Sequence, residues 1–345
     1  MDPFPINSTQ FHDKLQHAEL LVKEGRLAQA EIVVEGLVSV QPANHVLYCK
    51  LAAICLMQSK LNEAIYHYKS AIACNDKVPD SHWYLGSAYR QAGDLRAAAD
   101  CCREALILDP ADPLRHYEYG NLLMQMGCLD DAIAAQIQAI DLKHDFPEAY
   151  NNLGNYMRQK GDLIAAISCY HKALEFNPAF LDVHNNLGNT LHAVGDYCGA
   201  IRSYEQALRQ DPGAVDVHFN LGNSLRQKGD IKGAIAAYKK VIELTTGFPE
   251  VYNNLANAYE ILGEFSSAAE SYLAALDIDQ RHILSIRNFA CIAKGKDYER
   301  LKQLISAAIY HMPELILDLD FVETVASLGG EFAAEILQCK ELCDA

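Results

Sequence analysis

Histidine returns at His82, His116, His184 and His218, always at 34 residues or a multiple of it. An imidazole can ligate a metal or act as a general base, so such a column is the first place to look for chemistry. The spacing argues against it. One full repeat sets neighbouring members about 8–10 Å apart, the packing distance of adjacent helices, too far to share one metal at roughly 2 Å per bond. Tyrosine takes the same position at Tyr48, Tyr150 and Tyr252, so one amphipathic packing role accounts for both residue types. The chain also has no P-loop glycine–lysine motif, no GxGxxG following a strand, no HExxH and no GxSxG. No catalytic residue, cofactor or metal site is expected.

Polar residues of another kind recur on the same period. Asn152, Asn186, Asn220 and Asn254 form one series; Asn155, Asn189, Asn223 and Asn257, preceded by Asn121, form a second, three positions later. Arginine returns at Arg90, Arg158 and Arg226, and an acid at Asp80, Glu148, Asp182, Asp216 and Glu250. Asparagine is a poor helix-interior residue, so its repetition needs a cause. Its amide can donate to and accept from one peptide group at once. Repeats about 10 Å apart match roughly three residues of extended chain. The first series, with Arg158 and Arg226, is therefore expected to grip the backbone of an extended peptide, against the alternative that its amides bond neighbouring helices. For the second series both readings stand equally open.

The elements that carry these columns are set by glycine and alanine. Gly86, Gly120, Gly154, Gly188 and Gly222 are each 34 residues apart, and Ala256 continues the series. Gly93, Gly127, Gly161, Gly195, Gly229 and Gly263 run seven residues behind, with Gly25 upstream. Alanine fills a third column at Ala30, Ala64, Ala98, Ala132, Ala166, Ala200, Ala234 and Ala268. The first column predicts a close approach inside a helix. The second predicts a left-handed helix end, and Asp94, Asp162, Asp196 and Asp230 after it predict N-caps. Tyr68, Tyr170, Tyr204, Tyr238 and Tyr272 add an apolar column on the second helix. Pro79, Pro113, Pro147 and Pro249 open first helices, where a missing N–H costs nothing.

This pattern resembles the tetratricopeptide repeat (TPR) family over residues 11–282. The expected fold is all-α: a right-handed α-solenoid, or superhelix, of tandem 34-residue helix–turn–helix repeats with C-terminal capping helices. Residues 1–10 are expected to form an N-terminal extension, 11–282 eight repeats, and 283–345 a degenerate ninth repeat and capping helices, with amphipathic segments near 314–328 and 331–343. The resemblance implies that the first helices line a concave surface, which would put both asparagine series inside a groove. Within 147–282 the phrases N-N-L-G-N and N-N-L-A-N look like the TPR arm of protein O-GlcNAc transferases, whose asparagine ladder holds substrate polypeptide. The ladder lapses at Lys50, Tyr84 and Glu118. A carboxylate clamp for chaperone C-termini is rejected, because the matching positions are Cys49, Ala53, Trp83 and Tyr117.

Charge narrows the partner. The 345-residue chain carries 45 acids against 29 bases, a net charge of −16, which disfavours nucleic acid or an anionic membrane as main partner. A neutral or basic polypeptide suits it better, and a homo-oligomer is possible. Eleven scattered cysteines without a CxxC pair suggest free thiols in a reducing, cytoplasmic setting. Neither a secretory signal nor a membrane span is read. The expected function is a non-catalytic adaptor that binds extended polypeptide. The alternatives are the substrate-recruiting arm of a larger enzyme, such as a protein O-glycosyltransferase, and a self-assembling structural protein.

Overall fold

In most 34-residue units the first helix stops at a glycine, and the chain folds as that signal dictates. The left-handed turn falls on Gly25, Gly93, Gly127, Gly161, Gly195, Gly229 and Gly263, with φ between 74° and 92°. The aspartate that follows then caps the second helix: Asp94, Asp162, Asp196 and Asp230 accept from the backbone N–H three residues on, at 2.8–3.0 Å. Four first helices open on the expected proline.

The computed structural model describes residues 8–279, 282–292 and 303. Among them, successive helices pair as hairpins in chain order: α1 (Ser8–Lys23) with α2 (Leu27–Val40), α3 (His45–Met57) with α4 (Leu61–Cys74), and α5 (Pro79–Gln91) with α6 (Leu95–Leu108). Then come α7 (Pro113–Gln125) with α8 (Leu129–Leu142), and α9 (Pro147–Lys160) with α10 (Leu163–Phe176). A second group holds α11 (Leu181–Ala193) with α12 (Tyr197–Gln210), α13 (Val215–Lys228) with α14 (Ile231–Leu244), and α15 (Pro249–Ile261) with α16 (Phe265–Ile278), followed by α17 (Ile283–Ile292). The helices form two compact units, divided between Phe176 and Asn177. Helix α1 begins three residues inside the stretch read as an extension. The capping segments expected near 314–328 and 331–343 lie outside the described residues.

Within each unit the core is a series of small clusters rather than one central mass. In the first, Leu21, Val34, Leu37, Leu47, Leu51 and Ile54 close over α1–α3. In the second, Tyr238, Val241, Val251 and Leu255 join α14 to α15. All eight members of the alanine column are fully buried. The glycine column has a more specific cause than a neighbouring helix backbone. A Cβ on Gly154, Gly188 or Gly222 would lie 2.5–2.6 Å from a ring carbon of Tyr170, Tyr204 or Tyr238. Those tyrosines are fully buried on the partner helix of the same hairpin. At these three positions glycine and tyrosine are thus two halves of one contact, whereas Gly86 and Gly120 meet Cys102 and Gln136, which stand in the tyrosine column, and a backbone carbonyl of the partner helix.

Candidate functional site

The tyrosine column also determines what the asparagines do. Tyr170, Tyr204 and Tyr238 each donate their hydroxyl to the asparagine fifteen residues earlier, Asn155, Asn189 and Asn223, at 2.7–2.8 Å. Tyr272 does the same to Asn257. Burial pushes the phenols of Tyr204, Tyr238 and Tyr272 above the ordinary value, so they stay protonated donors. Where the column carries Gln136 instead, its amide donates to Asn121 Oδ1 at 3.1 Å, and Tyr156 adds a second donor at 3.0 Å.

The carbonyls of the second series therefore face inward, and they accept from the first series as well. Asn152 Nδ2 donates to Asn121 Oδ1 at 2.8 Å, and Asn254 Nδ2 donates to Asn223 Oδ1 at 2.9 Å. Asn288 on α17 continues the pattern onto Asn257 at 3.2 Å. At Asn152 and Asn254 the two series interlock across repeats, in the helix–helix role that the sequence leaves open for the second. The first series is half-buried. Asn152 commits one amide N–H to this ladder, which leaves its other N–H and its carbonyl oxygen. Asn254 is similar, its oxygen taking only a long contact from Asn253 at 3.4 Å. Asn220 makes no side-chain hydrogen bond among the described residues.

Arg158 is exposed, whereas Arg226 is half-buried and its Nε, shielded from solvent, has no hydrogen-bond partner. His192, which the sequence reading passed over, occupies the same register one repeat before Arg226. Its Nδ1 lies 2.8 Å from Ser224 Oγ, and burial, followed by the charge of Arg226, lowers its pKa. The arginine column itself was the signal that would have found it. Glu148, Asp182, Asp216 and Glu250 are exposed and have no ion partner among the described residues. Asp80 instead pairs with the buried Arg115 at 2.5 Å, and Asp109 and Asp112 lie around the same guanidinium.

The histidine column has a structural task. His82, His116, His184 and His218 each direct Nε2 at the backbone carbonyl six residues earlier, at 2.9–3.0 Å, and since a carbonyl only accepts, Nε2 carries the proton. Each histidine latches the loop that enters its helix. One group of ligand-type side chains, Glu31, Cys55 and Glu63, converges within 4.8 Å. A cation already serves it: the Lys60 ammonium lies 2.8 Å from Glu31 and 3.7 Å from Glu63. Burial also pushes the Cys55 thiol up to about 11. The described cysteines are free. No described helix is long and apolar enough to cross a membrane.

Tandem helix hairpins, a tyrosine-locked glycine column and polar first-helix faces define a helical repeat scaffold. The family model described as TPR repeat matches residues 120–157, 154–195, 188–225 and 222–263, and that described as tetratricopeptide repeat matches 79–112 and 249–282. Together they cover more than half of the sequence, and the chain belongs to the tetratricopeptide repeat family. Proteins of this family generally act as interaction scaffolds that bind peptides or other proteins. No curated protein matches the chain. Among solved structures, it is similar to the C-terminal part of a TPR repeat-containing protein from Cytophaga hutchinsonii (TM-score 0.61, 20% identity, 69% of this chain and 97% of that one). It is also similar to YrrB, described as a TPR protein with an unusual peptide-binding site (TM-score 0.51, 23% identity, 55% and 98%). A third is pilF of Pseudomonas aeruginosa (TM-score 0.50, 17% identity, 61% and 96%). At these identities the likeness is one of fold.

Proposed function

We propose that this chain is a non-catalytic adaptor that holds an extended polypeptide along the first-helix faces of its repeats, with Asn152, Asn186, Asn220 and Asn254 against the ligand backbone. The observation that carries this reading is the half-used amide. Asn152 is anchored through one N–H to Asn121, which orients the side chain before a ligand arrives and leaves a donor and an acceptor for one peptide group. In this reading Asn155, Asn189, Asn223 and Asn257 are positioning residues, and Arg158 and Arg226 add donors for ligand carbonyls. The unpaired acids Glu148, Asp182, Asp216 and Glu250 favour a neutral or basic partner, and the free thiols fit the cytoplasm. YrrB is a TPR protein with a peptide-binding site, and peptide binding is proposed here too. A second reading, the substrate-recruiting arm of a larger enzyme such as a protein O-glycosyltransferase, is favoured by the N-N-L-G-N and N-N-L-A-N phrases.

The test starts from a synthetic array of neutral and basic peptides about twelve residues long, the span of four repeats. The tightest binder is carried into solution titrations. Replacing all four first-series asparagines with alanine should weaken it by roughly 2–6 kcal/mol if the contacts add. Asn220→Ala alone should lose part of that affinity without lowering the melting temperature, since it breaks no bond within the fold. A quadruple variant that is folded and binds as tightly as the native chain refutes the ladder.

A further inference from the structure

The first two repeats lack the asparagine pattern, and something of opposite character stands in its register. Lys50 takes the position of Asn152, Ala53 that of Asn155, and Val22 that of Arg158. A wall of amides is thereby exchanged for a hollow of about 300 Å³ between α1, α2 and α3. Val22, Val34, Ile54 and Met57 form its sides, and the short side chains of Ala18 and Ala53 leave it open. Met57 remains 59% exposed, so apolar surface is left uncovered. The rim is charged. Lys50 Nζ bonds Glu19 at 2.6 Å, and Lys23, exposed, has no ion partner among the described residues.

We propose that this hollow is a side-chain pocket for a partner polypeptide, taking one bulky apolar residue such as Phe whose acidic neighbour pairs with Lys23 and Lys50. The proposal rests on the peptide-binding reading above and adds to it a place where side chains are read. A hollow of this size is at the small end of ligand pockets, which suits a single large side chain. Filling it removes apolar surface from water, the main source of affinity at such anchors. The rim holds two ammonium groups against one carboxylate, a local positive balance in a chain of net charge −16, so an acid is attracted here and repelled by most of the remaining surface.

The experiment uses the full chain with labelled methyl groups and follows the resonances of Val22, Ala53, Ile54 and Met57 by NMR. The probe is a glycine–serine peptide bearing one Phe–Asp pair. That peptide should move these four resonances, and the Ala–Asp version should bind at least about tenfold more weakly. The Phe–Asn version should bind roughly threefold more weakly, a difference that shrinks in Lys23→Gln. Ala53→Phe fills the hollow and should abolish the response. Lys23 is exposed, so its variant stays folded and keeps the test decisive if Ala53→Phe does not. Equal responses to the Phe and Ala peptides overturn the pocket, as does no response to either. Shifts that follow protein concentration without peptide assign the hollow to a second copy and overturn it; shifts on deletion of residues 1–7 assign it to that segment, with the same consequence. Phe-dependent shifts blocked by Ala53→Phe, with the four asparagine replacements silent, keep the pocket and refute the ladder. Asparagine-dependent binding without Phe dependence does the reverse.

Discussion

Asn189 accepts the Tyr204 hydroxyl at 2.7 Å, while Asn220 on the next first helix holds no side-chain bond among the described residues. The two differ in what their loss leaves behind. Asn189→Ala removes the acceptor of a fully buried phenol, leaving it only the neighbouring Ser224, at a cost of about 1–3 kcal/mol. Asn220→Ala removes a half-buried amide that holds no bond among the described residues and places a better helix former, so stability should be unchanged or rise by about 0.5 kcal/mol. Chemical denaturation of the two variants checks this. A loss of 1 kcal/mol or more at Asn220 would show an internal role for the first series there.

The helices are held by terminal signals that repeat with the period, and one repeat departs from them. Ser59 stands where Gly25 and Gly93 stand in neighbouring repeats, and it takes the same left-handed backbone with φ 61°. An L-residue there is strained by roughly 1–2 kcal/mol, while glycine gains freedom in the unfolded chain. Ser59→Gly should therefore stabilise α3 and α4 by about 0.5–1 kcal/mol net. Amide hydrogen exchange across α3 and α4 is the local readout. Unchanged or faster exchange would mean that the Ser59 backbone is not strained. The histidine latches act at this scale too, holding the loops ahead of α5, α7, α11 and α13.

Across the molecule, the groups with shifted pKa values resolved below their ordinary range all favour the unprotonated form. Burial lowers His67, and burial together with Arg226 lowers His192, from an ordinary 6.5; the hydrogen bond from Lys60 chiefly lowers Glu31 from 4.5. A group with a depressed folded pKa gives stability that is present above its unfolded pKa and is lost as pH falls through the folded one. The melting temperature should hold between about pH 7 and 8.5 and fall below pH 6.5, with Glu31 adding to the loss below 4.5; above about pH 9 the buried thiols, Cys55 among them, take stability away because their folded pKa values are raised. His192→Gln keeps a polar partner for Ser224 and should flatten the part of the decline that His192 causes. Comparison with the native chain cancels the change in overall charge repulsion common to both. Parallel profiles would show that His192 does not contribute.

Period, helix ends and small-residue columns were legible in the sequence because each is a local, steric demand. Only glycine reaches the left-handed turn cheaply, only a short side chain fits under a helix crossing, and an aspartate after the turn has a backbone N–H within reach. Repetition made those demands visible above chance. Partnership was not legible. From Asn155 alone, nothing distinguishes an amide aimed at a ligand from one held by Tyr170, because the deciding atom lies fifteen residues away and its direction depends on hairpin packing. The histidine column shows the same limit: its chemistry could be excluded by spacing, but its carbonyl partner appears only once the loop is folded back. The hollow beside Ala53 is further still from the sequence, since an empty volume belongs to three helices together and to no residue in particular. Side-chain identity sets the local backbone, whereas hydrogen-bond partners and cavities are properties of the packing between elements.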